Sequence, residues 1–191
     1  RDPTTINDKA AFTGFLLTGF ARSGKTAQLL TLPKPLLVLV TDPNAMATLR
    51  KYREPGRIQV IDFTADRHML GIRREKGSKE VAPSEMRPKA YENMWRWVQD
   101  AKRSGLLGEF AAIALDGFTG LQDIVMSAVL WSAGTPTAIP GGDEYMRVVN
   151  TVLPLISDLR SNGAVLAATA HTDIKTDRGG ATLGHKLALI G

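Results

Sequence analysis

The sequence predicts a three-layer α/β domain in which a mainly parallel central sheet is flanked by helices. Five apolar runs with the character of strands occur along the chain, and at least one segment with helical spacing separates each run from the next. This alternation is typical of parallel sheets whose connections are helices. The 191 residues, 43% hydrophobic and 23% charged, have the size and composition of a single globular domain.

The strand predictions rest on apolar content and on the residues that end each run. The second run is nearly continuous Leu and Val and ends at Asp42, which is typical of a parallel strand covered on both faces. The fourth run ends at Asp116 and turns at Gly117. We expect the first run to be a buried strand as well. The predicted strands are 12–20, 35–42, 57–63, 109–120 and 164–173.

The helix predictions rest on apolar spacing and on residues that stop a helix. Pro-Lys-Pro at 33–35 ends the first helix, Gly134 ends the fourth, and Pro154 predicts a bend in the last. The tail at 184–191 looks like the start of a further strand. We therefore expect one domain, 1–191, whose sheet is truncated at its C-terminal end. The predicted helices are 25–32, 45–52, 83–105, 121–134 and 144–163.

The composition excludes several kinds of site. The chain has no cysteine, so disulfides, thiolate metal sites and cysteine nucleophiles are excluded. No apolar stretch is long enough to cross a bilayer and no targeting pattern is visible, so we expect a soluble cytoplasmic protein without a membrane partner. The net charge of +5 permits a polyanionic partner. Basic residues gather at 67–80 and 174–186, and both segments are predicted to be exposed loops.

The segment GFARSGKT at 19–26 matches the phosphate-loop pattern G-x-x-x-x-G-K-[ST]. A chance match in a chain of this length has a probability of roughly one per cent or less, and the segment also lies between a predicted strand and a predicted helix. In such a loop backbone N–H groups converge on the β-phosphate, Lys25 reaches the β and γ oxygens, and Thr26 ligates Mg²⁺. We therefore expect ATP and Mg²⁺ as cofactors; a glycine-containing turn that merely carries a lysine is the alternative. The predicted nucleotide-binding residues are Gly19, Ala21, Arg22, Ser23, Gly24, Lys25, Thr26 and Ala27.

Acidic and polar residues at the ends of other strands complete the predicted site. Asp116 is expected to hold Mg²⁺, the alternative being an aspartate that caps the next helix. Asp42 or Asp62 could orient the attacking water. Asp42 is preferred because its strand follows the phosphate-loop helix. A structural role for Asp42 in the turn TDPN is an equal alternative. Thr169 and His171 end the fifth strand, where either could bind the γ-phosphate or the water, or His171 could be satisfied at the core's edge. The predicted catalytic residues are Lys25, Asp42, Asp116 and His171, and the predicted metal ligands are Thr26 and Asp116.

Four segments in this order, GFARSGKT, LLVLVTDPNAMATL, AAIALDGFTGL and AVLAATAHTD, followed by GGATLGHKLALIG, resemble the RecA-like P-loop ATPases. The resemblance runs from about position 12 to the end and is closest to small phage-encoded nucleotide-binding proteins associated with single-strand annealing and recombination. It implies that Lys25 and Thr26 form the Walker A pair, that Asp116 is the Walker B aspartate and that His171 is the polar sensor. Asp42 lies where relatives carry an acidic cluster with a catalytic Glu, and DPN departs from that pattern.

The resemblance also implies partners. In the family the segment after the sensor strand contacts single-stranded DNA, which here points to Lys175, Arg178 and Lys186, with a solvated flexible loop as the alternative. The family works as rings or filaments in which a neighbour's basic residue completes the site, so a homo-oligomer is expected. A phage-encoded member would act in the cytoplasm of a bacterial host.

The leading functional hypothesis is a DNA-dependent ATPase that acts on single-stranded DNA in phage-type recombination or replication. A DNA-packaging terminase motor is one alternative, since that class often carries an arginine in the loop, as at Arg22, but it usually has Glu where Gly117 stands. A small-molecule kinase is another, but no arginine-rich lid is evident beyond 73–75. The missing Glu keeps open a nucleotide-dependent assembly protein with little hydrolysis.

Overall fold

The computed structural model describes residues 14–52, 54–64, 88–136, 138–176 and 182–187, with side chains described as far as Thr172. Six strands and five helices are found in this part of the chain, together with a short 3-10 turn at Leu106–Glu109. The strands are β1 (Gly14–Gly19), β2 (Leu36–Val40), β3 (Ile58–Asp62), β4 (Ala112–Asp116), β5 (Val165–Thr176) and β6 (Thr182–Leu187). The helices are α1 (Lys25–Leu29), α2 (Ala45–Tyr52), α3 (Ala90–Arg103), α4 (Phe118–Ser132) and α5 (Gly142–Arg160).

The first five strands form one parallel sheet in the order β1-β5-β4-β2-β3. Their registers align the strand ends, because Gly19 lies opposite His171 and Val40 lies opposite both Asp116 and Asp62. The carboxyl ends of β1, β2, β3 and β4 therefore lie along one edge of the sheet, level with His171 of β5, and this edge is where open α/β sheets place their ligands.

Apolar side chains on the two faces of the sheet belong to two separate cores. Leu37, Leu39 and Ile113 face the core formed with α3, α4 and α5. Leu36 and Val38, at alternate positions of the same strand, face the core formed with α1 and α2. Every residue of β2 and β4 is buried, which accounts for the continuous apolar runs in the sequence. The predicted three-layer α/β fold, with a mainly parallel central sheet flanked by helices, is confirmed.

The prediction that the first strand is buried is wrong. Four of the six residues of β1 are exposed, and Phe15 and Leu16 are 38% and 42% exposed. Among the described strands β1 pairs with β5 alone, so it is an outer strand of the sheet with one unpaired side. An apolar run indicates a strand, but its neighbours in the sheet decide whether it is buried.

Several element boundaries differ from the predicted ones. The first helix ends at Leu29 rather than 32, because Thr31 and Leu32 form tighter turns, donating to Gln28 and Leu29, ahead of the Pro-Lys-Pro stop. Helix α4 begins at Phe118, directly after β4. Pro154 lies inside α5 without ending it.

The predicted loop at 174–186 is in large part a β-ladder. Strand β5 continues to Thr176 and pairs with β6 in antiparallel fashion, from Thr172 opposite Leu187 onward. The β-branched residues at 172, 174 and 176 favour this extended backbone over a loop. Residues 177–181 and the other predicted basic loop, 67–80, lie outside the described residues. No described helix is long and apolar enough to span a membrane.

Candidate nucleotide-binding and catalytic site

The predicted phosphate loop connects β1 to α1 at the carboxyl edge of the sheet. Gly19 ends the strand and Lys25 begins the helix, so the residues between them form the turn. Gly24 has φ 85°, a left-handed conformation that glycine adopts without steric cost. Arg22 has φ 64°, which is uncommon for a residue with a side chain. The loop therefore curls back on itself as the motif predicts.

Lys25 holds this loop closed through its ammonium group. Nζ donates to the carbonyl oxygens of Gly19 at 2.8 Å and Phe20 at 2.7 Å. Burial lowers the pKa of Lys25, and the carboxylates of Asp116 and Asp42 act in the opposite direction. The ammonium group thus lies within the electrostatic reach of two acids from two other strands.

Asp116 is the last residue of β4 and is only 2% exposed. Its Oδ1 accepts a hydrogen bond from the Thr169 hydroxyl at 2.7 Å, whereas its buried Oδ2 has no hydrogen-bond partner among the described residues. Burial raises the pKa of the Asp116 carboxyl and the charge on Asp42 adds to the rise, while the hydroxyls of Thr169 and Thr26 and the charge on Lys25 oppose it. Thr26 is therefore close to the carboxylate without satisfying Oδ2.

The orphaned oxygen is an observation that fits a divalent cation. A buried polar atom without a partner loses its hydration and regains nothing, which costs about 1–3 kcal/mol. Mg²⁺ takes oxygen ligands and is usually held by one or two protein groups, waters and substrate phosphates. Asp116 Oδ2 and the Thr26 hydroxyl, next to the phosphate loop, are oxygen donors of this kind.

Asp42 lies two residues beyond β2 and has a separate role for each carboxylate oxygen. Oδ1 accepts from the backbone N–H of Asn44 at 2.9 Å and from its side-chain amide at 3.1 Å, which is the turn role that TDPN suggests. Oδ2 lies 3.0 Å from Nε2 of His171. The His171 backbone N–H donates to Thr119 Oγ1 at 3.3 Å. Asp42 therefore stabilises its own turn through Oδ1 and contacts His171 through Oδ2.

Gly117 explains why no acidic residue follows Asp116. Its φ is 107°, and a Cβ built on it would lie 2.8 Å from both Cβ and N of Asp42 and 3.1 Å from Thr41 Oγ1. No side chain fits there, because the end of β2 occupies the space. The acidic residue that lies against Gly117 is Asp42, which follows β2.

The structure thus brings five of the predicted site residues to one edge of the sheet. Lys25, Thr26, Asp42, Asp116 and His171 are linked by the hydrogen bonds and charge interactions above.

Other predicted residues lie away from this group or beyond description. Asp62 accepts from Thr64, through its backbone N–H and its hydroxyl, at the end of the outermost strand β3. Lys175 lies in β5 and Lys186 in β6, but their side chains are not described, and Arg178 lies outside the described residues.

Thr169 has a contact that its sequence pattern does not predict. The pattern predicts a contact to the phosphate or to water, shared with His171, whereas in the structure the residue is 2% exposed and its hydroxyl donates to Asp116. The sequence offers one indication of this position, the spacing of Thr169 from His171. Residues two apart on a strand face the same side of the sheet, so the two side chains share a side.

Comparisons with known proteins find distant structural similarity. No protein-family model matches the chain, and no curated protein matches it. Among solved structures, a KaiC-like protein from the hyperthermophilic archaeon Pyrococcus horikoshii aligns with a TM-score of 0.47 and 15% identity, over 83% of this chain and 62% of that one. This chain therefore spans less than two thirds of that protein.

Proposed function

We propose that this protein binds ATP with Mg²⁺ at the carboxyl edge of its sheet and hydrolyses it. The observation that carries the proposal is the unpartnered, buried Oδ2 of Asp116 beside a phosphate loop whose lysine lies near the same carboxylate. A site for ATP with bound Mg²⁺ needs both a cationic side chain for the phosphates and an oxygen ligand for the metal. The two occur here in one place.

Each residue then has a distinct task. Thr26 and Asp116 would hold Mg²⁺, which when bound neutralises charge on the β and γ phosphate oxygens. Lys25 replaces its hydrogen bonds to the loop carbonyl oxygens with hydrogen bonds to phosphate oxygens. Because its side chain is already held in the loop, binding the phosphates does not require it to be ordered anew. The N–H groups of the loop complete the phosphate cradle.

Asp42 is the proposed general base. Its Oδ2 accepts the proton of the attacking water, and His171, whose Nε2 lies 3.0 Å away, orients that oxygen by donating its Nε2–H to it. The crowding at Gly117 supports this choice, because it removes the position at which the terminase class usually carries its Glu. The missing Glu therefore does not by itself argue for a protein that hydrolyses little.

Two substitutions test the site. Lys25→Ala should abolish ATP binding, measured by calorimetry, while Asp42→Asn should keep binding and lower turnover by about 10²–10⁴-fold, the usual contribution of a general base. Lys102→Ala is the matched control, because that lysine binds Asp158 on the outer face of the helical layer. Undiminished turnover in Lys25→Ala would overturn the site, and undiminished turnover in Asp42→Asn would overturn the base. ATP binding without any turnover in the unaltered protein would favour the assembly alternative.

The proposed partner of the ATPase is single-stranded DNA, in phage-type recombination or replication, with the protein acting as a homo-oligomeric ring or filament. The support is positional. His171 belongs to β5, and the same strand continues from the site into the ladder with β6, where Lys175 and Lys186 lie. Arg178 lies between the two strands in sequence. The resemblance stated above assigns this segment to DNA.

The DNA assignment has its own experiment. Replacing Lys175 and Arg178 together with alanine should weaken binding of a fluorescent single strand and reduce the slope of log affinity against log salt by about 1.4, or roughly 0.7 for each lost phosphate contact. ATP turnover should rise with single strands and fall back in the double variant. An unchanged salt slope would refute the assignment, and stimulation by duplex DNA alone would favour the packaging-motor alternative.

A further inference from the structure

Thr169 joins β5 to the end of β4 through one buried hydroxyl. The residue lies on β5, next to β4 in the sheet, and is 2% exposed. Its Oγ1 accepts from the backbone N–H of Gly117 at 2.8 Å and donates to Oδ1 of Asp116 at 2.7 Å. Both bonds go to consecutive residues of the Asp116–Gly117 turn.

The polarity of this chain of bonds is fixed by the backbone. An amide N–H can only donate, so at Thr169 the hydroxyl oxygen must be the acceptor from Gly117. A hydroxyl carries one proton, and that proton is left for the carboxylate. The carboxylate therefore receives a donor at Oδ1, and Oδ2 is left without a partner among the described residues.

The bond also restrains rotation of the carboxylate. The χ2 torsion of an aspartate is broad and nearly two-fold, so a free carboxylate exchanges its two oxygens readily. Here rotation would break the bond to Thr169 in a site that is closed to water, since Asp116 and Thr169 are each only 2% exposed. One oxygen is held by Thr169, and the other has no hydrogen-bond partner among the described residues.

We propose that Thr169 is a positioning residue that orients Asp116 so that Oδ2 alone is the metal-binding oxygen. The inference rests on the proposed function, because it concerns how the aspartate of that site is held. Groups that hydrogen-bond a metal ligand fix its orientation, and their loss typically costs 10–100-fold in metal affinity. Thr169 makes this contribution without touching nucleotide or metal.

The chain offers a matched control for the role of the hydroxyl. Thr41 is 0% exposed, and its hydroxyl donates to the carbonyl oxygen of Gly117 at 2.6 Å. It therefore stabilises the same turn from the other side, and this bond goes to the backbone rather than to the carboxylate. Thr169→Val and Thr41→Val each remove one buried hydroxyl at nearly constant volume, while Thr169→Ser keeps the hydroxyl in place.

The experiment measures ATP affinity by calorimetry twice for each variant, once with Mg²⁺ and once with EDTA. The ratio of the two affinities reports the metal contribution, whatever the variant does to stability. We expect Thr169→Val to lower this ratio by about 10-fold or more while the EDTA affinity stays unchanged. Thr169→Ser and Thr41→Val should keep the wild-type ratio. If Thr169→Val does not fold, Thr169→Ala is judged by the same ratio.

The outcomes separate this inference from the function on which it rests. A wild-type ratio in Thr169→Val, with a lowered ratio in Asp116→Ala, would overturn the positioning role and leave the metal site standing. A similar loss in Thr41→Val would also overturn it, because the effect would then belong to the turn as a whole. An unchanged ratio in Asp116→Ala would show that Asp116 is not a metal ligand. That result would also overturn the positioning role of Thr169.

Discussion

Replacing Gly117 with alanine tests the packing that brings Asp42 into the site. The new Cβ would lie 2.8 Å from Cβ and N of Asp42, a distance that real Cβ atoms essentially never show, and the backbone at φ 107° disfavours any side chain. Left-handed backbone costs about 1–2 kcal/mol for a residue with a Cβ. Overpacking against a rigid neighbour costs about 1–3 kcal/mol more. We expect a total loss of about 2–5 kcal/mol in the free energy of unfolding.

Gly134→Ala is the control for the backbone contribution alone. Gly134 follows the C-terminal end of the same helix at φ 72°, and a Cβ there would meet no atom within 4 Å. Its substitution should cost only the conformational part, about 1–2 kcal/mol. Urea denaturation of both variants measures the difference, and in a chain of this size each 1 kcal/mol lowers the melting temperature by about 2–4 °C. Equal losses in the two variants would refute the clash and with it the reason for glycine at 117.

Three further predictions concern the charged residues of the site. Asp116→Asn should stabilise the ATP-free protein at pH 7 by on the order of 1 kcal/mol, because it removes a buried charge whose Oδ2 is unpartnered; greater stability of the wild type in urea would contradict this. The pKa of Asp116 is raised, so the folded state keeps this proton to higher pH than the unfolded state, and stability falls as pH rises from the ordinary value of 3.8 through the raised pKa. The advantage of Asn should therefore shrink as the pH falls through this window towards 3.8, and a constant advantage across the window would count against the buried charge. Arg22→Gly should be about 1 kcal/mol more stable than Arg22→Ala, since only glycine relieves the strain at φ 64°; equal melting temperatures would show that the loop relaxes instead.

The phosphate loop and the strand–helix alternation were predictable because both are local. A strand that is covered on both faces needs a continuous apolar run, and β2 and β4 show it. The loop needs glycine, lysine and a hydroxyl at set spacings, because these place backbone N–H groups and a cation around a phosphate. Lys25, Thr26 and Asp116 could be proposed from these patterns alone.

The edge position of β1 and the ladder of β5 with β6 could not be predicted in this way. Apolar content in β1 indicates a strand, but its exposure depends on which strand packs beside it. The Gly-rich and basic segment 174–186 has the composition of a loop, but the pairing of β5 with β6 decides the backbone of its described residues. Both outcomes depend on which strand lies beside which.

The sequence by itself determined the α/β class, the phosphate loop and the acidic strand ends, since each follows from a short run of neighbouring residues. The tertiary structure decided which of these residues meet. His171 reaches Asp42 across 129 residues of sequence, because strand order places β5 and β2 on either side of β4 and because Gly117 leaves the space between them open. Thr169 likewise binds Asp116 because β5 packs beside β4. Strand order comes from how the helices pack on the two faces, and no local pattern encodes it.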